Sequence, residues 1–231
     1  ATLRDAAGRL VHAWRAGRIG AAGMLDDYAA MARAALALFE ASGERAYLQE
    51  AISLVRQARQ LFGAPDGSFF ITAYDAADVP GARPRHAHDG ATPSGIGLMA
   101  ETLARLWHLT GDPDWRDAAR RLIHSFSGLA KQLPQMPLLL AAADFLERGK
   151  VAVVVGAFHD ADAMAMSCAA LSAPDPASAV LRTIEGAQWP EASPGHGKTP
   201  LRGASAAYVC KGSVCSLPVD TAAELRALMN G

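Results

Sequence analysis

The sequence predicts a mainly α-helical fold with a smaller α/β tail. Helical hairpins of an (α/α) toroid are expected over residues 1–149, and a small βαβ-type module over 150–231. Three observations lead there. Apolar residues recur at helical spacing through the first part of the chain. One helix–glycine–helix pattern occurs twice. After Gly149 the pattern changes to a continuous β-branched run, "KVAVVVG".

The elements follow in order. A short helix to about Ala7 is expected, then a hairpin across "RLVHAWRAGRIG" with Ala16-Gly17 in its turn, although Leu3, Ala7, Leu10 and Trp14 also fit a single helical stripe. "LDDYAAMARAALALFEASG" places Tyr28, Met31, Ala35 and Leu38 at helical spacing and stops at Gly43. "RAYLQEAISLVRQARQLFG" repeats the logic and stops at Gly63. "GSFFITAYD" alternates and is rich in aromatic and β-branched residues, which predicts a short strand. A polar loop from Asp78 to Asp89 leads into "HAHDGATPSGIG". Helices are then expected over "SGIGLMAETLARLWHLTG", over "DPDWRDAARRLIHSFSG" with Asp112 as N-cap and Pro113 at its first position, and over "PLLLAAADFLER".

Two hairpins read as copies of one unit. "LFEASGERAYLQEA" starts at Leu38 and "LWHLTGDPDWRDAA" starts 68 residues later, at Leu106. In this register Gly43 meets Gly111, Glu44 meets Asp112, and Asp26 meets Ser94, so Asp26 and Ser94 are both expected as N-caps. A long excursion carrying aromatics between hairpins favours a toroid over a solenoid. In the tail, "KVAVVVG", "AVLRTIEG" and "SAAYVC" are expected strands, and "DADAMAMSCAALSA" and "PVDTAAELRALMNG" helices.

Bulk properties bound the function. Of 231 residues, 51% are hydrophobic and 19% charged, which excludes a disordered chain. With 22 basic and 23 acidic residues the net charge is −1, so neither nucleic acid nor an anionic membrane is an expected partner. No apolar run reaches the length of a membrane span and no signal peptide is evident, so a cytoplasmic location is the expectation. Three cysteines are too few for a secreted disulfide scaffold.

Each chemical motif has two readings. In a toroid, the leading ends of the inner helices surround one mouth of the cavity. Asp26, Asp27, His88 and Asp89 are therefore candidate acid–base residues, and Trp14, Tyr28, Phe70 and Ser94 candidate substrate contacts, on a polyhydroxy substrate. The same residues also read as caps and core, with Phe69, Phe70 and Tyr74 as seals of the core top. His86, His88 and Asp89 could hold a metal ion, but without further signature no metal or other cofactor is expected. Cys210 and Cys215 read as a reduced pair flanking a turn, with a disulfide as the other option, and Cys168 as a core residue. "PGHGKT" lacks the first glycine of a phosphate-binding loop and "VVVGAF" lacks the dinucleotide fingerprint.

"LDDYA" at Leu25–Ala29, "DGATPSG" at Asp89–Gly95, "LTGD" at Leu109–Asp112 and "AYVCKGSVCSLPV" at Ala207–Val219 occur in an order that resembles the C-terminal part of the spermatogenesis-associated, thioredoxin-domain-containing proteins, the YyaL-like family. The resemblance implies a six-hairpin α/α barrel similar to N-acylglucosamine 2-epimerases, an α/β tail, and an N-terminal thioredoxin-like domain that this chain lacks. It also implies that the chain is a fragment or a truncated homologue, with apolar helix faces exposed and self-association expected. Two functions are expected on this basis. One is a carbohydrate-binding or sugar-isomerising barrel with a small sugar ligand. The other is a non-catalytic scaffold for a thioredoxin-like domain or protein, in which Cys210 and Cys215 are structural or exchanging thiols.

Overall fold

The computed structural model of the protein describes residues 3–77, 79 and 81–231. Asp78, the start of the expected polar loop, lies outside the described residues.

A two-residue hairpin opens the fold, β1 (Trp14–Arg15) against β2 (Arg18–Ile19). Its turn is Ala16-Gly17, both at positive φ, the left-handed pair that a tight hairpin needs. Over residues 3–7 the helix expected up to Ala7 does not form. The Asp5 carboxylate instead accepts the N–H groups of Ala7 and Arg9, folding these residues into a turn.

The first helical hairpin is α1 (Leu25–Ser42) and α2 (Arg45–Phe62); the second is α3 (Gly95–Thr110) and α4 (Pro113–His124). The 68-residue register holds at the hairpin tips. Gly43 (φ 77°) and Gly111 (φ 72°) both close their helices in the left-handed conformation, with Glu44 and Asp112 as the next N-caps. At Gly111 the backbone also approaches closely, because a Cβ there would collide with the Ala192 carbonyl. A 3-10 segment, Ser127–Gln135, links α4 to α5 (Pro137–Arg148).

Segment 67–75 is not a strand. It makes a single bridge, Phe69 to Gly63, and its other backbone groups go to separate elements. Phe70 N–H bonds to Phe62, Tyr74 N–H to Leu61, and the Ile71 carbonyl accepts Leu25 N–H. The segment therefore laces the end of α2 to the start of α1 instead of forming a ladder.

The tail follows the βαβ expectation. β3 (Lys150–Val155) pairs in parallel with β4 (Ser178–Thr183) across α6 (Ala161–Leu171), and antiparallel with β5 (Ala206–Lys211). A fourth strand, β6 (Val214–Cys215), forms the edge, and the sheet order is β4-β3-β5-β6. Alternation along β3 sends Val151, Val153 and Val155 into the core shared with α1–α5, and Ala152 and Val154 toward α6 and α7 (Ala222–Asn230). The change at Gly149 is thus one of architecture, while a single core runs across it. Among the described residues, no helix is long and apolar enough to cross a membrane.

Candidate functional site: the helix N-termini and the sheet edge

Helices α1, α3 and α5 begin side by side, and Asp26, Asp27, Tyr28, His88, Asp89 and Ser94 lie at or just before the N-termini of α1 and α3. α1 starts two residues before the register predicts. Its N-cap is Met24, not Asp26, because Asp27 in the first turn reaches back to accept Met24 N–H at 2.8 Å. Asp27 also receives His12 Nδ1 at 3.0 Å, which ties the β-hairpin to the helix. Asp26 is exposed and lies against Gly95, where a Cβ would collide with its Oδ1. Glycine eases the close approach of the first turns of α1 and α3, since Asp26 Cα and N also lie 3.1 Å from that Cβ position.

Ser94 is the N-cap of α3, as expected, accepting Gly97 N–H at 3.1 Å. Asp89 organises the joint around it. One carboxylate oxygen accepts both Ser94 N–H and Ser94 Oγ–H at 2.8 Å; the other accepts Leu138 N–H in the first turn of α5, also at 2.8 Å. His88 is exposed and pairs through Nε2 with Gln132 Oε1 at 3.1 Å. The loop ahead of α3 therefore uses Asp89 to bind α3 to α5, with both oxygens engaged by backbone and hydroxyl donors and none by the neighbouring histidines.

Tyr28 is fully buried. Its hydroxyl accepts Leu10 N–H at 2.9 Å and its ring meets Phe62 edge-on at 5.3 Å, so it is a core residue. Phe70 is half-buried beneath the guanidinium groups of Arg83, 4.1 Å from the ring centre, and Arg85. Phe69 is buried while Tyr74 and Trp14 are exposed. Beside the start of α1 lies a cavity of 710 Å³ lined by Arg9, Met24, Thr72, Ala73, Asp75 and Pro84. Arg9 and Asp75 form a two-pronged ion pair at 2.7 and 3.0 Å, and the buried Thr72 hydroxyl has no hydrogen-bond partner among the described residues.

A buried charge cluster went unread in the sequence. Arg105 donates to Glu101 at 2.8 Å and to Glu40 at 3.0 Å, while Glu40 also accepts Val180 N–H at 3.1 Å and Arg33 reaches Glu101 at 3.0 Å. Burial raises the Glu40 carboxyl above its ordinary range against the pull of Arg105 and Arg33. Burial works the same way on Glu101, but there the two guanidinium groups win and its pKa is lowered. The cluster joins α1, α3 and β4. Arg33 and Glu101 are repeat-equivalent positions carrying opposite charges, which is the signal that could have found the cluster.

At the other end of the sheet, Cys210 and Cys215 are joined by a disulfide, not held as the reduced pair expected. They face one another across the β5–β6 hairpin, with Cα atoms 4.0 Å apart. Cys210 is buried and Cys215 half-buried. Beside them Val214 is 72% exposed and Leu217 86% exposed. Cys168, expected in the core, lies on the exposed side of α6.

No family model matches the chain. It is 30% identical to human spermatogenesis-associated protein 20 over 222 residues, which is 90% of this chain and 27% of that protein. The mouse protein of the same name is 31% identical over 225 residues, and an uncharacterized protein of Caenorhabditis elegans 26% identical over 207. The chain thus spans little more than a quarter of the length of these curated relatives. Its similarity to spermatogenesis-associated protein 20 along nine-tenths of its own length supports the family that its motifs resemble.

Proposed function

We propose that this chain is a non-catalytic interaction module that works with a thioredoxin-like domain or protein in the cytoplasm. The observation that carries this reading is the Cys210–Cys215 disulfide at the sheet edge, flanked by the exposed apolar side chains of Val214 and Leu217. A cross-strand disulfide beside exposed apolar groups offers both a reactive bond and a surface for a protein to sit on. In a reducing compartment such a bond is one that is turned over. The residues at the helix N-termini fit the same reading, since Asp27, Asp89, Ser94 and Tyr28 each spend their polar atoms on holding the fold.

The exchange balances as a two-electron transfer. A thiolate of the reduced partner attacks Sγ of Cys215, the more exposed cysteine, and expels Cys210 as a thiolate. The partner's second thiolate resolves the mixed disulfide. Cys210 and Cys215 end as thiols, taking up the two protons the partner gave up, and the partner ends as a disulfide. The test is a thioredoxin-like domain lacking its second cysteine. A trapped mixed disulfide at Cys215, located by mass spectrometry, is the expected result. An intact Cys210–Cys215 bond, with the same domain attacking a control disulfide, overturns the reading.

A second reading, binding of a small sugar, is favoured by the cavity beside the start of α1. Arg9, Asp75 and the Thr72 hydroxyl, which has no partner among the described residues, supply donors and acceptors there, and Trp14 is exposed on the neighbouring hairpin. Thermal-shift screening with aldoses and N-acylhexosamines tests it, and loss of any shift in Thr72→Val assigns the site. No shift with any sugar sinks it.

A further inference from the structure

The two helical hairpins repeat not only in sequence but in how they pack, and among the described residues this leaves two unpaired edges. α3 uses one side against α1 and the opposite side against α5. The side toward α1 includes Gly95, which touches Asp26, and the same helical stripe continues through Met99, Thr102 and Leu106, all buried. The side toward α5 includes Gly97, packed against Leu138, and His108, whose Nε2 bonds the Phe145 carbonyl. α1 presents its equivalent of that second side to α3, through Arg33 and Glu40.

Beyond Asp27, which matches Gly95 and is tied to His12 of the β-hairpin, its equivalent of the first side is exposed. Met31, Ala34 and Leu38 match Met99, Thr102 and Leu106 in the 68-residue register, yet Met31 is 45% exposed and Leu38 49% exposed. At the opposite end, α5 turns Leu138 and Phe145 to α3, and its far side borders a groove with α4. This groove has a volume of 410 Å³ and is lined mainly by apolar side chains, among them Ile123, Phe126, Leu140 and Leu146, together with the exposed Arg120–Glu147 ion pair. One edge is thus a helix ridge of the kind that α3 inserts against α1, and the other is a mainly apolar groove beside a helix running in the same direction.

We propose that a second copy of this chain docks head to tail, with the Met31–Leu38 ridge of one copy seated in the α4–α5 groove of the other. Continuity of packing identifies the occupant. The contact would repeat the rule by which α1 packs on α3 and α3 on α5, using the side of α1 that this rule leaves unused. Such an interface is heterologous, so it closes into a ring when the rotation per copy allows and otherwise extends as a filament. The ridge and groove lie apart from the Cys210–Cys215 hairpin, so this interface stands or falls independently of exchange with a thioredoxin-like partner.

Sedimentation velocity across a concentration series tests it with Leu38→Glu and Leu140→Glu. Leu140 is 43% exposed, so both charges are introduced at surface positions, and far-UV circular dichroism verifies their folding. The wild-type chain is expected to self-associate and each variant to be monomeric. Mixing the two variants restores one interface, from the intact ridge of Leu140→Glu and the intact groove of Leu38→Glu, and gives a dimer that grows no further. A wild-type chain that stays monomeric, variants that still associate, or a mixture that stays monomeric overturns the proposal.

Discussion

Asp89 is the residue on which the catalytic and the structural readings of the loop ahead of α3 differ most sharply, and its removal has a calculable cost. Asp89→Ala deletes the acceptor for Ser94 N–H and Leu138 N–H, which join the first turns of α3 and α5. Ser94 Oγ–H retains the Ala87 carbonyl as an alternative, 3.2 Å away, so its loss adds little. Each orphaned, partly buried N–H costs about 1–2 kcal/mol, giving about 2–4 kcal/mol in all. For a domain of this size, about 2–4 °C of Tm is lost per kcal/mol, so the melting temperature should fall by about 5–15 °C. Asp89→Asn, whose amide oxygen can serve only one of the two joints, should fall by about half as much. Thermal melts followed by circular dichroism read this directly. Asp26→Ala is the internal control, since Asp26 is exposed and should cost less than about 0.5 kcal/mol. If Asp89→Ala melts within about 1 °C of the wild type, the joint contributes nothing and the structural account of the loop is wrong.

Other substitutions test neighbouring parts of the account. Gly111→Ala should cost more than Gly43→Ala in thermal melts. Both adopt positive φ, but a Cβ at 111 would lie 2.0 Å from the fixed Ala192 carbonyl oxygen, whereas one at 43 meets side-chain atoms at longer range, the Phe158 ring at 2.6 Å and Arg182 Cβ at 2.9 Å. Glu40→Ala leaves Val180 N–H without its acceptor and Arg105 with Glu101 and the Ser178 carbonyl as its remaining partners, so it should lower urea stability by about 2–3 kcal/mol, with Glu40→Gln milder because it still accepts from Val180. Hydrogen bonds from Ser68 and then Arg85 hold the Asp66 carboxyl down at about 2 against an ordinary 3.8. Its contribution is therefore present above about pH 4 and lost as pH falls toward 2, so Asp66→Asn should flatten the acid limb of a Tm-against-pH curve in that window. An unchanged acid limb in the variant contradicts the assignment.

The fold is legible in the sequence where local chemistry decides the structure. Gly43 and Gly111 end their helices because glycine tolerates the left-handed conformation, and Asp112-Pro113 starts α4 because it caps and presets a first turn. The Ala16-Gly17 turn and the parallel β3–β4 pair are legible for similar reasons. Elsewhere distant partners decide. The start of α1 depends on Asp27 reaching back to Met24, a choice that "LDDY" leaves open between two adjacent aspartates. Segment 67–75 has strand composition but finds its hydrogen bonds on α1 and α2. Glu40 sits in an apolar run, and only the tertiary approach of Arg105 explains it. At the candidate site, the motif "DGATPSG" points to the right loop. What it cannot supply is that Asp89 faces two backbone N–H groups, which makes it a joint. The disulfide requires the β5–β6 register, set by the turn at Gly212, before Cys210 and Cys215 can be seen to face each other.

The measurement closest to the central claim is the rate at which the Cys210–Cys215 bond is reduced. A reduced thioredoxin-like domain is compared with dithiothreitol at equal dithiol concentration, and thiol release is followed by alkylation and mass spectrometry. An interaction module that receives such a partner at its sheet edge predicts faster reduction by the domain, and slowing of that reaction alone by Val214→Asp or Leu217→Asp. Reduction at the small-molecule rate, unaffected by either substitution, would contradict it.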